Sequence, residues 1–367
     1  MPIEHRIVYR DPARYAAWPA NYGLWAWGDE LVVGFTVGYP QPDGRFHARD
    51  RSRPFATMQA RSLDGGTTWT LEPMNAPAPG GRALSSDEHM LPELTLDRAL
   101  ADSLEPQPAR VAHPIAFDDP ELALLCARTG LGAGTRSWFY TSVDRCRTWQ
   151  GPHWLPRFGQ AGIEARTDPV ISGGDTCSLF LTASREDGGE GKGVFCARTV
   201  DGGRTWALRS WVTQPRNGYA IMPSTVRLAD GTLLTAIRCH GAGAFDNNGH
   251  WIDLYRSDDD ALTWRHVARP VSDTGRGGNP PALLLLEDGR LCLTYGYRAA
   301  PYGIRARLSA DQGATWEPEI VLRDDGGSHD LGYTRMIQRP DGTLVTVYYN
   351  TDEPGGAAYI AATLWRP

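Results

Sequence analysis

The sequence of 367 residues predicts an all-β protein, a six-bladed β-propeller. Two interleaved repeats predict this fold: a turn motif of eight residues that occurs five times, and an apolar strand after a turn that occurs six times. Repeats at such a period are typical of stacked supersecondary units, and radial repetition of four-stranded units leaves only short strand edges. The abundance of Gly (41) and Pro (27) also suits many short strands joined by tight turns.

The turn motif, which we name the Asp box, has the form Ser/Thr-x-Asp-x-x-x-Thr-Trp. Its Asp side chain is expected to accept backbone N–H groups of the turn, and its Trp to cover the gap between blades. The motif therefore identifies the fold and says little about chemistry. The last four copies begin at intervals of 57, 58 and 52 residues, and the five copies are 62–69 (SLDGGTTW), 142–149 (SVDRCRTW), 199–206 (TVDGGRTW), 257–264 (SDDDALTW) and 309–316 (SADQGATW).

The second repeat is a turn, often Asp-Gly, that leads into an apolar strand. It marks six units, which begin at residues 28, 119, 174, 230, 288 and 341. The sixth unit has no Asp box, and residues 4–10 (EHRIVYR) are expected to supply its outer strand and close the ring. We therefore predict one propeller domain over residues 1–367, with an insertion at 71–107 that forms a lid-like excursion between blades one and two.

Composition excludes several classes of function. A net charge of −6 without a basic run argues against a nucleic-acid partner. The N-terminus lacks an apolar signal region and no run of 18 apolar residues occurs, so a cytoplasmic protein with no membrane partner is expected. The six cysteines have no CxxC pair and are expected to be buried free thiols. No histidine pair has metal-ligand spacing, so neither a metal nor another cofactor is expected.

The geometry of an up-and-down blade predicts which face carries the site. The turn that leads into the second strand of a blade and the Asp box lie on the same face of the propeller. The remaining loops therefore converge on a central funnel at the other face. Polar and aromatic segments are expected to begin the inner strands there: 18–23, 109–114, 164–169, 217–223, 276–281 and 329–335. Trp18, Asn21 and Arg276 in these segments, and Arg238 and Arg298 at the ends of second strands, are the predicted ligand-binding residues.

These positions resemble bacterial sialidases, which combine the repeat with a tyrosine nucleophile, an arginine clamp and an aspartate acid/base. Tyr333, eight residues before the last Asp-Gly turn, is similar to the nucleophile. Arg238 and Arg298 resemble two clamp arginines. Asp50, twelve residues before the first Asp box, resembles the acid/base, and Arg45 lies five residues ahead of it.

The sequence departs from the sialidase pattern at three places. The Arg-Ile-Pro signature is replaced by WPAN at 18–21, the expected glutamate is Met222, and the acidic residue after the late blade-six tyrosine is Asn350. One clamp arginine and the activator of the tyrosine are thus missing. Help in activating Tyr333 is then expected from neighbouring cations or from another acid, for which Glu164, Asp168 and Asp330 are the candidates.

The resemblance implies an exo-acting, retaining glycosidase that removes a terminal acidic sugar, sialic acid or a related one. Its partner would be a small carbohydrate. Two alternatives stay open. One is a lyase for uronic-acid saccharides with His113, His329 or Tyr333 as base, and the other is a carbohydrate-binding propeller without turnover.

Overall fold

The structure, a computed structural model, describes residues 3–41, 46–79, 84–85, 89–95, 105–187, 191–243 and 249–367. Its strands form six antiparallel sheets, one per predicted unit, and the six-bladed propeller is confirmed. The first strand of the chain is β1 (Glu4–Tyr9). Blade one contains β2 (Tyr15–Ala17), β3 (Leu24–Trp27), β4 (Glu30–Gly38), β5 (Ala56–Ser62) and β6 (Thr70–Pro73). Blade two contains β7 (Ala123–Arg128), β8 (Ser137–Ser142) and β9 (Gln150–Trp154).

The next three blades follow in chain order, each with its inner strand first. Blade three contains β10 (Ile163–Glu164), β11 (Pro169–Gly173), β12 (Thr176–Ala183), β13 (Gly193–Thr199) and β14 (Ala207–Thr213). Blade four contains β15 (Tyr219–Arg227), β16 (Leu233–His240), β17 (His250–Ser257) and β18 (Arg265–Val271). Blade five contains β19 (Ala282–Leu285), β20 (Leu291–Tyr297), β21 (Gly303–Ser309) and β22 (Ile320–Arg323).

Blade six is completed by the beginning of the chain. Its own strands are β23 (Gly332–Gln338), β24 (Leu344–Asn350) and β25 (Tyr359–Trp365). The fourth and outer strand is β1, which pairs antiparallel with β25. The predicted ring closure is therefore confirmed.

Blade two differs from the prediction. Residues 109–114 do not form its inner strand, because Ala109 makes a parallel bridge to His153 on the outer strand β9. Further along, the backbone N–H of Ile115 donates to the carbonyl of Gly202 in the Asp box of blade three (2.9 Å). This segment thus covers the open edge of β9, whose backbone groups need partners. Among the described residues, blade two has three strands and β7 is the innermost.

The Asp boxes are structural, as predicted. In the first box, one carboxylate oxygen of Asp64 accepts the backbone N–H groups of Thr67 (3.1 Å) and Thr68 (2.8 Å), and the other accepts the Thr68 hydroxyl (2.6 Å). These hydrogen bonds outweigh desolvation and lower the pKa of Asp64 to about 2. The backbone N–H of Gly65 donates to the carbonyl of Asp29 in the second-strand turn (2.9 Å). Box and turn therefore lie on the same face.

The core lies largely between blades, where tryptophans of the Asp boxes pack. Trp206 of blade three contacts Phe139 of blade two edge-on, with ring centroids 5.7 Å apart. Trp264 of blade four contacts Phe180 of blade three in the same way, also at 5.7 Å. Each box thus stabilises its own turn and the contact with the preceding blade.

All six cysteines are buried and free, as the sequence predicted. Within the described ranges, His, Cys, Asp and Glu side chains form no group of three or more that could hold a metal ion. The same ranges contain no helix that is long and apolar enough to span a membrane.

Candidate active site

A cavity of about 300 Å³ lies where the inner strands and second-strand ends converge, away from the Asp boxes. Its described lining combines five arginines with a tyrosine, a glutamate and two histidines. Such a set favours a small polar anion over an apolar ligand. The lining residues are Asn21, Phe46, His47, Arg49, Arg51, His89, Arg128, Leu131, Glu164, Arg166, Ile221, Arg238 and Tyr333.

Tyr333 begins the inner strand of blade six and lines the cavity, as predicted. Its φ is +54°, and the pairing register of β23 slips here. Asn279 stabilises this strained backbone: its Oδ1 accepts the N–H of Tyr333 (2.8 Å) and its Nδ2 donates to the carbonyl of Leu331 (2.9 Å). The tyrosine is therefore held at the cavity by its backbone. Among the described residues its hydroxyl makes no hydrogen bond.

Arg238, at the C-terminal end of β16, also lines the cavity as predicted. It donates through Nη2 to the carbonyl of Gly277 and through Nη1 to the sulfur of Met222 (3.6 Å). Gly277 has a φ of +67°, and a Cβ there would lie 2.2 Å from the ring of Phe46. Only glycine lets this loop approach both Phe46 and the guanidinium group.

Arg128 and Arg166 are cavity residues that the sequence interpretation missed. Arg128 ends β7, and Arg238 lies two residues before the end of β16, so the position of Arg128 at the end of a second-repeat strand was a usable signal. Arg166 follows β10, and its Nε donates to Oδ1 of the predicted binding residue Asn21 (3.0 Å). Three guanidinium groups from blades two, three and four thus meet at one cavity.

Glu164 is the buried carboxyl group of the cavity. Its Oε1 accepts the backbone N–H of Gly132 (3.1 Å) and the hydroxyl of Ser184 (3.2 Å). Burial raises the pKa of Glu164, although Arg166 and Arg128 act in the opposite direction. A carboxyl group in this state is suited to donate a proton.

The other two acidic candidates lie elsewhere. Asp168 accepts from Thr225 and lines a separate cavity with Arg335, and burial raises its pKa to about 7. Asp330 is buried behind the active-site cavity and accepts four hydrogen bonds: from the hydroxyls of Tyr15 and Tyr349 (both 2.9 Å), Nδ1 of His47 (2.6 Å) and the N–H of Ala48 (3.1 Å). Of these four partners, His47 is the one that lines the cavity.

Two predicted binding residues lie behind the cavity lining. Arg298 is 1% exposed and donates to the hydroxyl of Tyr349 (2.7 Å) and the carbonyl of Leu331 (3.0 Å). Trp18 is completely buried and stacks on His89 with 3.6 Å between ring centroids. The packing that buries both side chains keeps them out of the cavity, so neither is placed to contact a ligand there.

Asp50 and Arg276, two further predicted site residues, do not line the cavity. The carboxylate of Asp50 accepts the backbone N–H (2.9 Å) and hydroxyl (2.6 Å) of Ser52, which lower its pKa, and it does not line the cavity. The carboxylate is thus engaged in a local turn, and the spacing of Asp50 does not bring it to the cavity. Arg276 is exposed and lies over the ring of Phe46 (5.5 Å). Arg45 lies outside the described residues.

The described part of the predicted insertion at 71–107 reaches the cavity at one residue. His89 from the insertion lines the cavity, and its carbonyl accepts Nε of Arg49 (3.3 Å). Arg51 donates to the carbonyl of Met90 (3.0 Å). Arg49 and Arg51, in the loop between β4 and β5, thus form hydrogen bonds with the described part of the insertion.

The His47–Asp330 pair makes stability pH-dependent. Burial lowers the pKa of His47 to about 4, although Asp330 acts to raise it; Arg49 and Arg298 also lower it. Between that value and the unfolded value of about 6.5, only the unfolded chain binds the proton. The contribution of His47 is therefore complete above about pH 6.5 and is lost as the pH falls towards 4, at most about 3 kcal/mol.

We expect guanidinium unfolding to show this loss between pH 7 and pH 4.5. His47→Asn removes the titrating group and keeps an N–H that can donate to Asp330, so its free energy of unfolding should change less over that range. Equal pH dependence in the two proteins would contradict the assignment.

The comparison with known proteins supports the same architecture. A model of the BNR repeat-like domain matches residues 99–346. No curated protein sequence matches the chain significantly. Among solved structures, a protein of unknown function from Dyadobacter fermentans has a TM-score of 0.72 at 22% identity, over 99% of this chain and 98% of that one.

Two similar structures are glycoside hydrolases. An α-L-arabinofuranosidase from Fusarium graminearum, solved with an iminosugar inhibitor, has a TM-score of 0.59 at 16% identity, over 98% of this chain and 94% of that one. The NanB sialidase from Streptococcus pneumoniae has a TM-score of 0.62 at 11% identity, over 98% and 70%. These identities show a shared fold alone. Because the family model covers most of the propeller repeats, the chain belongs to the BNR repeat-like domain family.

Proposed function

We propose that this protein is an exo-acting, retaining glycosidase that removes a terminal acidic sugar with Tyr333 as nucleophile. The observation that carries the proposal is one cavity in which Tyr333 meets Glu164 and the guanidinium groups of Arg128, Arg166 and Arg238. A volume of about 300 Å³ is at the lower end for small-ligand sites, which suits a single terminal sugar.

The arginines bind the carboxylate of the sugar. Guanidinium groups stay charged and match a carboxylate with two parallel N–H bonds. A neutral tyrosine is then a better nucleophile than a carboxylate, which the substrate's own charge would repel. The charge of the cavity and the choice of nucleophile therefore support each other.

Glu164 is the acid/base in this proposal, in place of Asp50, for which the spacing along the sequence had suggested that role. In the first step Tyr333 Oη bonds to the anomeric carbon while Glu164 protonates the departing oxygen. In the second step the Glu164 carboxylate takes a proton from water, which displaces the tyrosine. Two displacements retain the anomeric configuration.

A substrate screen tests the function. We expect incubation with sialosides, uronides and oligosaccharides that end in unsaturated uronic acid to release one acidic monosaccharide, detected by mass spectrometry. Proton NMR of the first product should show the anomeric configuration of the substrate. Inversion would contradict the tyrosine nucleophile, and the absence of any product with measurable binding would indicate a carbohydrate-binding propeller.

A lyase is the other outcome that the screen separates. β-Elimination gives an unsaturated product that absorbs in the ultraviolet and lacks the water added by hydrolysis. Of the three bases considered for it, His113 is exposed on the segment beside β9, and Nε2 of His329 contacts the carbonyl of Phe46 (2.9 Å). Of the three, Tyr333 alone is among the described residues that line the cavity, so a lyase would also depend on it and the product decides between the two reactions.

A further inference from the structure

The hydrogen bonds of Asp330 determine the tautomer of His47. Burial alone would raise the pKa of Asp330, but His47, Arg298 and Tyr15 lower it well below its ordinary value, so the group is a carboxylate. A carboxylate only accepts, so Nδ1 of His47 carries the hydrogen that points to Asp330. The lone pair of the neutral imidazole is then on Nε2.

Packing holds the imidazole ring of His47 in place. The ring of His47 makes edge contacts with Trp18 (5.4 Å), Phe46 (4.8 Å) and His89 (5.7 Å between centroids). The residue is 8% exposed and lines the cavity. In the part of the chain that the structure describes, Nε2 has no hydrogen-bond partner. A held imidazole with a vacant acceptor therefore lies at the cavity.

The same network reaches the nucleophile. Tyr349 donates to Asp330, and its ring meets that of Tyr333 edge-on with 6.0 Å between centroids. The hydroxyl of Tyr333 also has no partner within the described ranges. One buried carboxylate thus anchors His47 directly and, through Tyr349, supports the ring of the tyrosine.

We propose that His47, oriented by Asp330, is the general base that takes the proton from the hydroxyl of Tyr333. This inference rests on the proposed function. As Tyr333 Oη bonds to the anomeric carbon, its proton moves to Nε2, and the imidazolium formed is stabilised by the Asp330 carboxylate through Nδ1–H. When water later displaces the sugar, the tyrosine oxygen leaves and regains that proton from Nε2.

The other groups considered suit this role less well. All four hydrogen-bond positions of Asp330 are occupied, and it does not line the cavity. Burial holds Glu164 towards its protonated form, which fits the acid. The position where a glutamate would activate the tyrosine is Met222, whose sulfur accepts from Arg238. His47 supplies the missing acceptor from another blade.

His47→Asn tests the role in turnover. The Asn amide N–H can still donate to Asp330, but the group at Nε2 is lost. We expect kcat to fall about 10²–10⁴-fold, with the acid limb of the pH profile of kcat/KM removed. His153→Asn, a histidine on β9 outside the cavity, is the matched control and should keep wild-type kcat. Wild-type turnover in His47→Asn would overturn the proposal.

Chemical rescue separates proton transfer from packing. In His47→Ala, a series of imidazoles of increasing basicity should restore turnover in proportion to basicity. A rescue that depends only on the size of the imidazole would overturn the role as base.

A readout without turnover keeps this inference distinct from the proposed function. N-acetylimidazole acetylates tyrosine hydroxyls, and peptide mass spectrometry can compare Tyr333 with the half-buried Tyr302. We expect His47→Asn to slow labelling of Tyr333 at least tenfold and leave Tyr302 unchanged; equal rates at Tyr333 would overturn the proposal. If labelling slows but the screen yields only an elimination product, the glycosidase proposal fails and the activation of Tyr333 stands.

Discussion

Tyr333→Phe is expected to lower kcat at least about a thousandfold and to leave the fold intact. The substitution removes only the hydroxyl that bonds to the anomeric carbon, and loss of a nucleophile costs several orders of magnitude in enzymes that form covalent intermediates. Stability should change little, because the hydroxyl makes no hydrogen bond among the described residues and the backbone N–H still donates to Asn279. Steady-state kinetics on the substrate found by the screen measure the effect.

The matched control is Tyr255→Phe. Tyr255 is a half-buried tyrosine on β17 whose hydroxyl donates to Thr213 (3.3 Å), away from the cavity. It should retain wild-type kcat. A fluorinated sugar that traps the covalent intermediate should add its mass to the peptide that contains Tyr333. Wild-type turnover in Tyr333→Phe, or trapping on another residue, would refute the nucleophile assignment.

Asp330→Asn is expected to reduce the free energy of unfolding by about 3–5 kcal/mol. The carboxylate accepts from Tyr15, His47, Ala48 and Tyr349 in a site that is 3% exposed. An amide offers one oxygen and one NH2 group, so the NH2 group faces donors and leaves some of them without an acceptor. Guanidinium unfolding followed by tryptophan fluorescence measures the change.

Asp288→Asn is the control for charge removal. Asp288 is an exposed aspartate of the blade-five turn that pairs with Arg290 at the surface (2.7 Å). Exposed pairs contribute little, so its unfolding midpoint should stay close to that of the wild type. If Asp330→Asn were equally neutral, the four hydrogen bonds would not stabilise the junction of blades one and six.

Much of the fold was predictable because its signals are local. In the first Asp box, Asp64 binds partners three and four residues away, so the motif and the structure it forms coincide in the sequence. Outer-strand pairing of residues 4–10 was also predictable, since the sixth unit lacked a strand. The path of residues 109–114 was not predictable. A mixture of apolar and polar residues suits an inner strand and also a segment that covers the edge of an outer strand.

The candidate site was predictable only in part. Spacing placed Tyr333, Arg238 and Asn21 at the funnel, and all three line the cavity. It also selected Trp18 and Arg298, which directly follow strands, and Asp50, which lies in the loop between β4 and β5. The side chains of the first two enter buried packing, and that of Asp50 forms a local turn. Spacing along a strand locates a residue within its blade, whereas contacts with neighbouring blades decide what its side chain reaches.

The sequence by itself determined the repeat, the six blades, the closure by the N-terminal strand and the face on which chemistry is expected. Tertiary structure alone decided which groups meet there: His47 and Asp330 are 283 positions apart, and Asn21 and Arg166 are 145 apart. No local pattern encodes such pairs, because their distance depends on how the blades pack around the ring. The same packing sets burial, and burial raises the pKa of Glu164 and lowers that of His47 to about 4.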